Sequence, residues 1–176
     1  MAKRSEKVLS LTGIFRVKMG SFVMALGALV LIAYAIILFV NNLNNNSMEF
    51  GMKGIIDKER TEIRDFSPKL MQYITHLHFT VSILIAAAGL AAIGLALYGV
   101  RTGQMWAWGF SILTWAFAVS VPFFVLAVTP YSVYENNIDK IGYFGLVYIA
   151  TGVFVIGALI ALAGLLTKKV RVEELR

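Results

Sequence analysis

Four stretches of this 176-residue chain contain no Asp, Glu, Lys or Arg, and each is long enough to cross a lipid bilayer as a helix. The hydrocarbon core of a bilayer is about 30 Å thick, which about 20 helical residues span at 1.5 Å each. The four stretches are residues 19–40, 73–100, 106–128 and 141–167. The sequence therefore predicts an all-α integral membrane protein, a four-helix bundle whose transmembrane domain covers residues 19–167.

Composition supports this prediction and narrows the possible chemistry. Hydrophobic residues make up 59% of the chain and charged residues only 15%, against about 25% charged residues in soluble domains. The absence of cysteine excludes disulfides, thiolate nucleophiles and zinc–thiolate sites. We expect no cofactor. The net charge of +6 is explained by cations near anionic lipid, so we expect no nucleic-acid partner.

Basic residues are concentrated in three of the five segments that lie outside the spans. Ten of the sixteen Lys and Arg residues are found there: Lys3, Arg4, Lys7, Arg16, Lys18, Arg101, Lys168, Lys169, Arg171 and Arg176. The other two connections, 41–72 and 129–140, hold the remaining six together with seven of the ten acidic residues. Because basic residues favour the cytoplasmic side, we expect a multi-pass cell-membrane protein with both termini and the Arg101 turn in the cytoplasm.

The two terminal segments are predicted to lie at the cytoplasmic membrane surface. Residues 1–18 mix apolar and basic side chains, which suits a short amphipathic helix on the cytoplasmic leaflet. A frayed tail is an equally good interpretation of the same pattern. Residues 168–176 are predicted to form a short basic tail.

The outer loop 41–72 contains three local patterns. Asn45 begins an Asn-Asn-Ser triplet and is a candidate acceptor for N-glycosylation. Isoleucines among alternating charges, including Ile63, predict a short amphipathic helix within residues 48–69. Ser67 followed by Pro68 predicts the N-cap and the first residue of the second span.

Small residues recur at helical spacing in the second and fourth spans. They are Ala88, Ala92 and Ala96 in the second span, and Gly157 and Ala161 in the fourth. Apolar helices in lipid gain little from association except through close van der Waals packing, which small residues allow. We therefore predict that these two spans make the tightest contacts in the bundle.

Aromatic residues mark the expected membrane boundaries. Trp106 and Trp108 follow the Arg101 turn, and Tyr131 and Tyr134 follow the third span, so these four are predicted interface anchors. Trp115 lies about 10 Å deeper than Trp108 and is predicted to pack against neighbouring helices. A kink is expected at Pro122 because proline removes a helical hydrogen bond.

The turn between the second and third spans reads Gly-Val-Arg-Thr-Gly-Gln-Met-Trp-Ala-Trp from Gly99 to Trp108, and a His-Leu-His triplet begins at His76. This pattern resembles the G-V-R-x-G-x-x-W-A-W-like inner turn of a diffuse group of uncharacterised small prokaryotic four-span membrane proteins. The resemblance covers the second and third spans, about a third of the chain. It implies a four-helix architecture, and it carries no known activity.

His76 and His78 are the candidate metal ligands of the sequence. Imidazole binds metals and titrates near neutral pH, and acidic side chains of the outer connections could add oxygen ligands: Glu62, Asp65, Glu135 and Asp139. Residues two apart on a helix point about 200° away from each other, so one ion does not easily bind both rings. Interfacial hydrogen bonding and a proton-linked role are the other interpretations of this pair.

The spans carry no ionisable residue other than these two histidines, and the chain has no phosphate-binding loop, nucleophile elbow or His-Glu-x-x-His motif. We therefore expect a non-enzyme. The favoured interpretation is a non-catalytic accessory or scaffold subunit of a prokaryotic membrane complex, such as an oxidase or monooxygenase, whose partners are other integral membrane subunits and lipids. A small transporter or channel, and a metal- or redox-linked protein using His76 and His78, are the alternatives.

Overall fold

The computed structural model describes the backbone of residues 2–43, 60–128 and 138–174, and the side chains of residues 12–43, 60–120 and 145–167. The described chain is helical and contains no strand, which confirms the all-α prediction. Its helices are α1 (Ala2–Leu43), α2 (Arg60–Phe66), α3 (Pro68–Gly94), α4 (Met105–Val128) and α5 (Ile138–Glu174). Between α3 and α4 the chain forms a π-helical segment, Leu95–Gly99, and a 3-10 turn, Val100–Thr102.

Three helical segments are long and apolar enough to cross a membrane. They are Thr12–Leu43, Pro68–Thr102 and Gly145–Thr167, and a shorter apolar helix covers Met105–Ser120. The 35-residue segment Pro68–Thr102 is about 50 Å long and exceeds the thickness of the hydrocarbon core. These three helices thus have the length and hydropathy that a membrane-spanning helix needs.

Helix α1 is a single helix from Ala2 onward, so no break separates the N-terminal segment from the first span. Val17 is buried, and Gly13 lies against Gly164 and Thr167 of α5. The helix continues because no proline interrupts it and because its packing on α5 already begins at Gly13.

The closest packing is between α1 and α5, which run antiparallel. A Cβ atom added to Gly20 would lie 2.7 Å from the carbonyl oxygen of Gly157, and one added to Gly164 would lie 2.8 Å from that of Gly13. The two backbones are therefore in direct contact. Small residues repeat every seventh position on both helices: Gly13, Gly20 and Gly27 on α1, and Ala150, Gly157 and Gly164 on α5. A seven-residue repeat keeps one face of each helix toward the other.

This pairing corrects the prediction that the second and fourth spans make the tightest contacts. Gly157 and Ala161 pack on α1, while α3 packs on α1 and α4. Ala88 of α3 is half-buried, Ala92 of α3 is buried, and Ala96 is buried in the π-helical segment that follows α3. The reason is that α1 offers glycines opposite Gly157, and glycine permits a closer backbone approach than alanine does.

Helix α4 contacts both α3 and α5 through larger side chains. The indole of Trp115 stacks on the ring of Phe154, with centroids 4.1 Å apart and planes 7° apart. Trp115 is buried, as expected for a packing residue. The turn before α4 depends on glycine: Gly103 has a φ of 82°, and a Cβ on Gly99 would overlap that of Ala107.

The helix ends fall into two groups. Gly13 of α1 and Gly164 of α5 lie together, and α1 also contacts the 3-10 turn before Gly103. At the opposite end Asn42, near the end of α1, reaches Thr75 near the start of α3. We call this second group, where α2 packs on α3, the α2 end of the molecule.

Candidate functional site

Helix α2 is anchored to the first turns of α3 by a small apolar cluster. Ile63 of α2 is buried together with Met71 and Ile74 of α3. Ser67 caps α3, since its Oγ accepts a hydrogen bond from the backbone N–H of Leu70 at 3.3 Å, and Pro68 is the first helical residue. The amphipathic helix and this cap are as the sequence predicts.

A buried arginine lies on the same face of α2 as Ile63. Arg60 is only 7% exposed, and its Nη2 donates to the hydroxyl of Thr75 at 3.0 Å. The Thr75 hydroxyl in turn donates to the carbonyl of Met71 at 2.9 Å. On the other side, Nδ2 of Asn42 donates to the carbonyl of Thr75 at 3.1 Å. Thr75 therefore connects α1, α2 and α3.

Several polar atoms of this cluster are buried without a hydrogen-bond partner in the part of the chain that the structure describes. They are Nε and Nη1 of Arg60 and Oδ1 of Asn42. Burying a charged group without partners costs several kcal/mol, and more than about 90% of buried polar groups in proteins are hydrogen-bonded. The guanidinium therefore carries two buried nitrogens that no described residue satisfies.

Arg60 borders an open pocket of about 450 Å³. The pocket is lined by cationic and neutral polar side chains together with apolar ones: Arg60, Arg64, Pro68, Met71, Gln72, Thr75, His76 and Phe79. No carboxylate is among these lining residues. Burial, and secondly the neighbouring Arg64, lower the pKa of the Arg60 guanidinium. Both causes penalise the cation, so a bound anion would offset them. The arrangement is suited to binding an anion.

The two predicted histidine ligands lie on different faces of α3. His76 is exposed and lines the pocket, whereas His78 is buried. Within residues 12–43, 60–120 and 145–167, no three His, Asp or Glu side chains come close enough to hold a metal ion. Glu62 and Asp65 are exposed, and the side chains of Glu135 and Asp139 lie outside the described residues. The metal site stays a prediction.

The predicted interface tryptophans differ in their environments. Trp106 is exposed, while Trp108 is half-buried and its Nε1 donates to the carbonyl of Ala158 at 3.0 Å. The indole of Trp108 therefore links α4 to α5 as well as lying near the Gly103 turn. Asn45, Tyr131 and Tyr134 lie outside the described residues.

Arg60, Thr75 and Asn42 are not among the site residues that the sequence predicts. Arg60 precedes Ile63 by three residues, and residues three apart share a helix face, so its burial could have been anticipated. The sequence places Asn42 in the predicted outer loop 41–72, but it belongs to the end of α1. No local pattern distinguishes Thr75.

Most buried hydroxyls in the described helices are bonded within their own helix. Ser82, Ser111 and Thr151 each donate to the carbonyl four residues earlier, and Ser21 donates to the carbonyl of Lys18. Such hydroxyls satisfy themselves locally. The donors of these four hydroxyls are therefore used within single helices.

Helix α4 presents an exposed stripe of large apolar side chains. Trp106, Phe110, Leu113 and Phe117 are all more than half exposed, and Phe117 is 70% exposed. Their spacing of four, three and four residues keeps them on one helix face. The rings of Trp106 and Phe110 contact edge to face, with centroids 6.1 Å apart. We call these four residues the α4 stripe.

Comparison with protein-family models, with curated proteins and with solved structures finds no match for this chain.

Proposed function

We propose that this chain is a four-span protein of the cell membrane that serves as a non-catalytic accessory or scaffold subunit of a larger prokaryotic membrane complex, such as an oxidase or monooxygenase. Both termini would lie in the cytoplasm. In support, the start of the α1–α5 contact and the Gly103 turn are at one end of the molecule, the end that carries most of the basic residues.

The observation that carries this proposal is the α4 stripe. Three of the four exposed side chains of the α4 stripe are aromatic. Helix α1, which packs on α5 and α3, also exposes large apolar side chains, at Phe15, Phe22, Leu29 and Ile36, and two of these four are aromatic. Aromatic residues are enriched where proteins bind one another. A transmembrane helix of a partner subunit would fit along this face by interleaving with side chains at this spacing.

The local bonding of most buried hydroxyls supports a passive role. A transporter needs polar groups that face a pathway, and a membrane enzyme needs ionisable groups near its substrate. The described hydroxyls of Ser82, Ser111 and Thr151 each donate to a carbonyl of their own helix.

Site-specific crosslinking in the native membrane tests the proposal. A photoactivatable residue at Phe117 should crosslink to one defined partner chain, and the same residue at Leu84 provides the matched control. Leu84 is a large apolar residue of α3 with similar exposure. We expect the partner to co-purify with the wild-type chain after gentle detergent extraction, and the double substitution Phe110→Ala and Phe117→Ala to reduce its recovery at least tenfold.

Two results would contradict the accessory role. One is extraction of the chain alone, with no other protein in fixed proportion. The other is crosslinking from Phe117 and Leu84 to the same random set of abundant membrane proteins, which would mean that lipid covers both positions.

A further inference from the structure

The pocket beside Arg60 combines a buried cation with unused hydrogen-bond donors. Nε and Nη1 of Arg60 have no hydrogen-bond partner among the described residues, although the side chain is more than nine-tenths buried. A guanidinium donates only, so a neutral donor cannot satisfy it and an acceptor is required. Its one bond, from Nη2 to Thr75, leaves its charge without a counter-charge among the described residues that line the pocket.

The remaining polar walls of the pocket suit the same kind of ligand. Arg64 adds a second cation, and Gln72 and His76 add donors from successive turns of α3. Donors from two helices approach a ligand from several directions. A tetrahedral phosphate group has oxygens that accept from several directions, whereas a planar carboxylate accepts near one plane.

The rest of the lining is apolar. Pro68, Met71 and Phe79 border the pocket, and they lie within the first four turns of α3. The segment Pro68–Thr102 is longer than the hydrocarbon core, so the membrane placement proposed above would put these turns at the level of the lipid headgroups. A ligand there would meet cations on one side and an apolar wall on the other.

We propose that this pocket binds a phosphate group, with Arg60 as the principal ligand and Arg64 as the secondary cation. A phospholipid headgroup and a soluble phosphate share this chemistry, and the lipid source would also use the wall formed by Met71 and Phe79. The inference rests on the membrane placement proposed above, but it requires no partner subunit. The crosslinking experiment and the binding experiment can therefore fail separately.

Ligand-dependent thermal unfolding of the full chain in detergent tests the proposal. The probes are dioctanoyl phosphatidylglycerol, dioctanoylglycerol as its phosphate-free counterpart, and inorganic phosphate. We expect the phospholipid to raise the Tm and the phosphate-free lipid to leave it unchanged. Arg60→Gln should weaken phospholipid binding by about tenfold or more, as expected from losing a charge-assisted hydrogen bond. Arg101→Gln removes an exposed arginine outside the pocket and should bind normally.

The outcomes separate the sources of the phosphate group. Stabilisation by the phospholipid alone supports a lipid headgroup, and stabilisation by inorganic phosphate as well supports a soluble ligand in the same site. Equal effects of phosphatidylglycerol and dioctanoylglycerol would overturn the proposal, as would equal losses in the Arg60→Gln and Arg101→Gln variants. If Arg60→Gln does not fold, Arg64→Gln replaces it, because Arg64 is exposed, and an unchanged affinity in that variant would count against the site.

An internal carboxylate is the competing occupant. Glu49, Asp57 and Glu59 precede Arg60 in the sequence, and converting all three to amides tests them together. We expect the amide variant to retain the phospholipid response. Loss of stability equal to that of Arg60→Gln, together with no response of the wild-type chain to any phosphate probe, would overturn the proposal.

Discussion

The α1–α5 interface and the α2 end both contain buried residues, but they are built in opposite ways. At the first, Gly20 and Gly157 bring two backbones into direct contact. At the second, Arg60 is buried with donors that no described side chain satisfies. Lipid provides little hydrophobic drive for helix association, so close packing stabilises the first region. The α2 end departs from the rule that buried polar groups are hydrogen-bonded. Such departures are typical of functional sites rather than of sites selected for stability.

The largest expected effect is at the glycine contact. Gly157→Ala should lower the free energy of unfolding by about 3 kcal/mol, because its Cβ would lie 2.5 Å from the backbone nitrogen of Met24 and the helices must separate. Gly152→Ala, on the same helix with open space around it, should be neutral or slightly stabilising. Denaturant titration in detergent micelles measures both. Equal effects of the two substitutions would show that backbone contact does not control this interface.

Thr75→Val perturbs the α2 end. Valine keeps the shape of threonine but removes the acceptor of Arg60 Nη2, which leaves the buried guanidinium with no described partner. We expect a loss of about 2 kcal/mol. Thr80→Val is the control, because the Thr80 hydroxyl makes the same bond to the carbonyl four residues earlier but is exposed. A similar small loss in both variants would mean that the Arg60 contact contributes nothing.

Gly89→Ala tests whether a steric clash with a side chain lowers the free energy of unfolding less than a clash with the backbone does. Its Cβ would lie 2.6 Å from Cγ1 of Ile32 on α1, a side-chain atom that can move. We expect a loss of about 1 kcal/mol, between the values for Gly157→Ala and Gly152→Ala. The same unfolding titration ranks the stability losses of the three glycine substitutions. A larger loss for Gly89→Ala than for Gly157→Ala would mean that the α1–α3 contact is packed more tightly than the α1–α5 contact.

The smallest effect is expected where α4 joins α5. Trp108→Phe removes the hydrogen bond from the indole to the Ala158 carbonyl. Interhelical hydrogen bonds of membrane proteins contribute about 0.6 kcal/mol on average, so a loss of that size is expected. Trp106→Phe, at an exposed position, should change stability by less. If Trp108→Phe lowered the free energy of unfolding as much as Gly157→Ala does, the α4–α5 contact would contribute as much stability as the α1–α5 contact.

The helices, the Ser67 cap and the apolar face of α2 were predictable because each depends on residues close in sequence. The pairing of α1 with α5 was partly visible in advance, since Gly13, Gly20 and Gly27 repeat every seventh residue. The prediction compared only the alanines of the second span with the small residues of the fourth. It was wrong because the glycines of α1 allow a closer approach.

Local composition was enough to determine the helices and which of them are apolar enough to cross a membrane, because helical hydrogen bonds and hydropathy depend on residues within one segment. Only the tertiary structure determined which helix faces pack together and which polar residues become buried. Arg60 and Thr75 are 15 residues apart in sequence, and Asn42 and Thr75 are 33 apart. Their environment arises only when α1, α2 and α3 pack together, so a charge that looks solvated in the sequence becomes an enclosed cation.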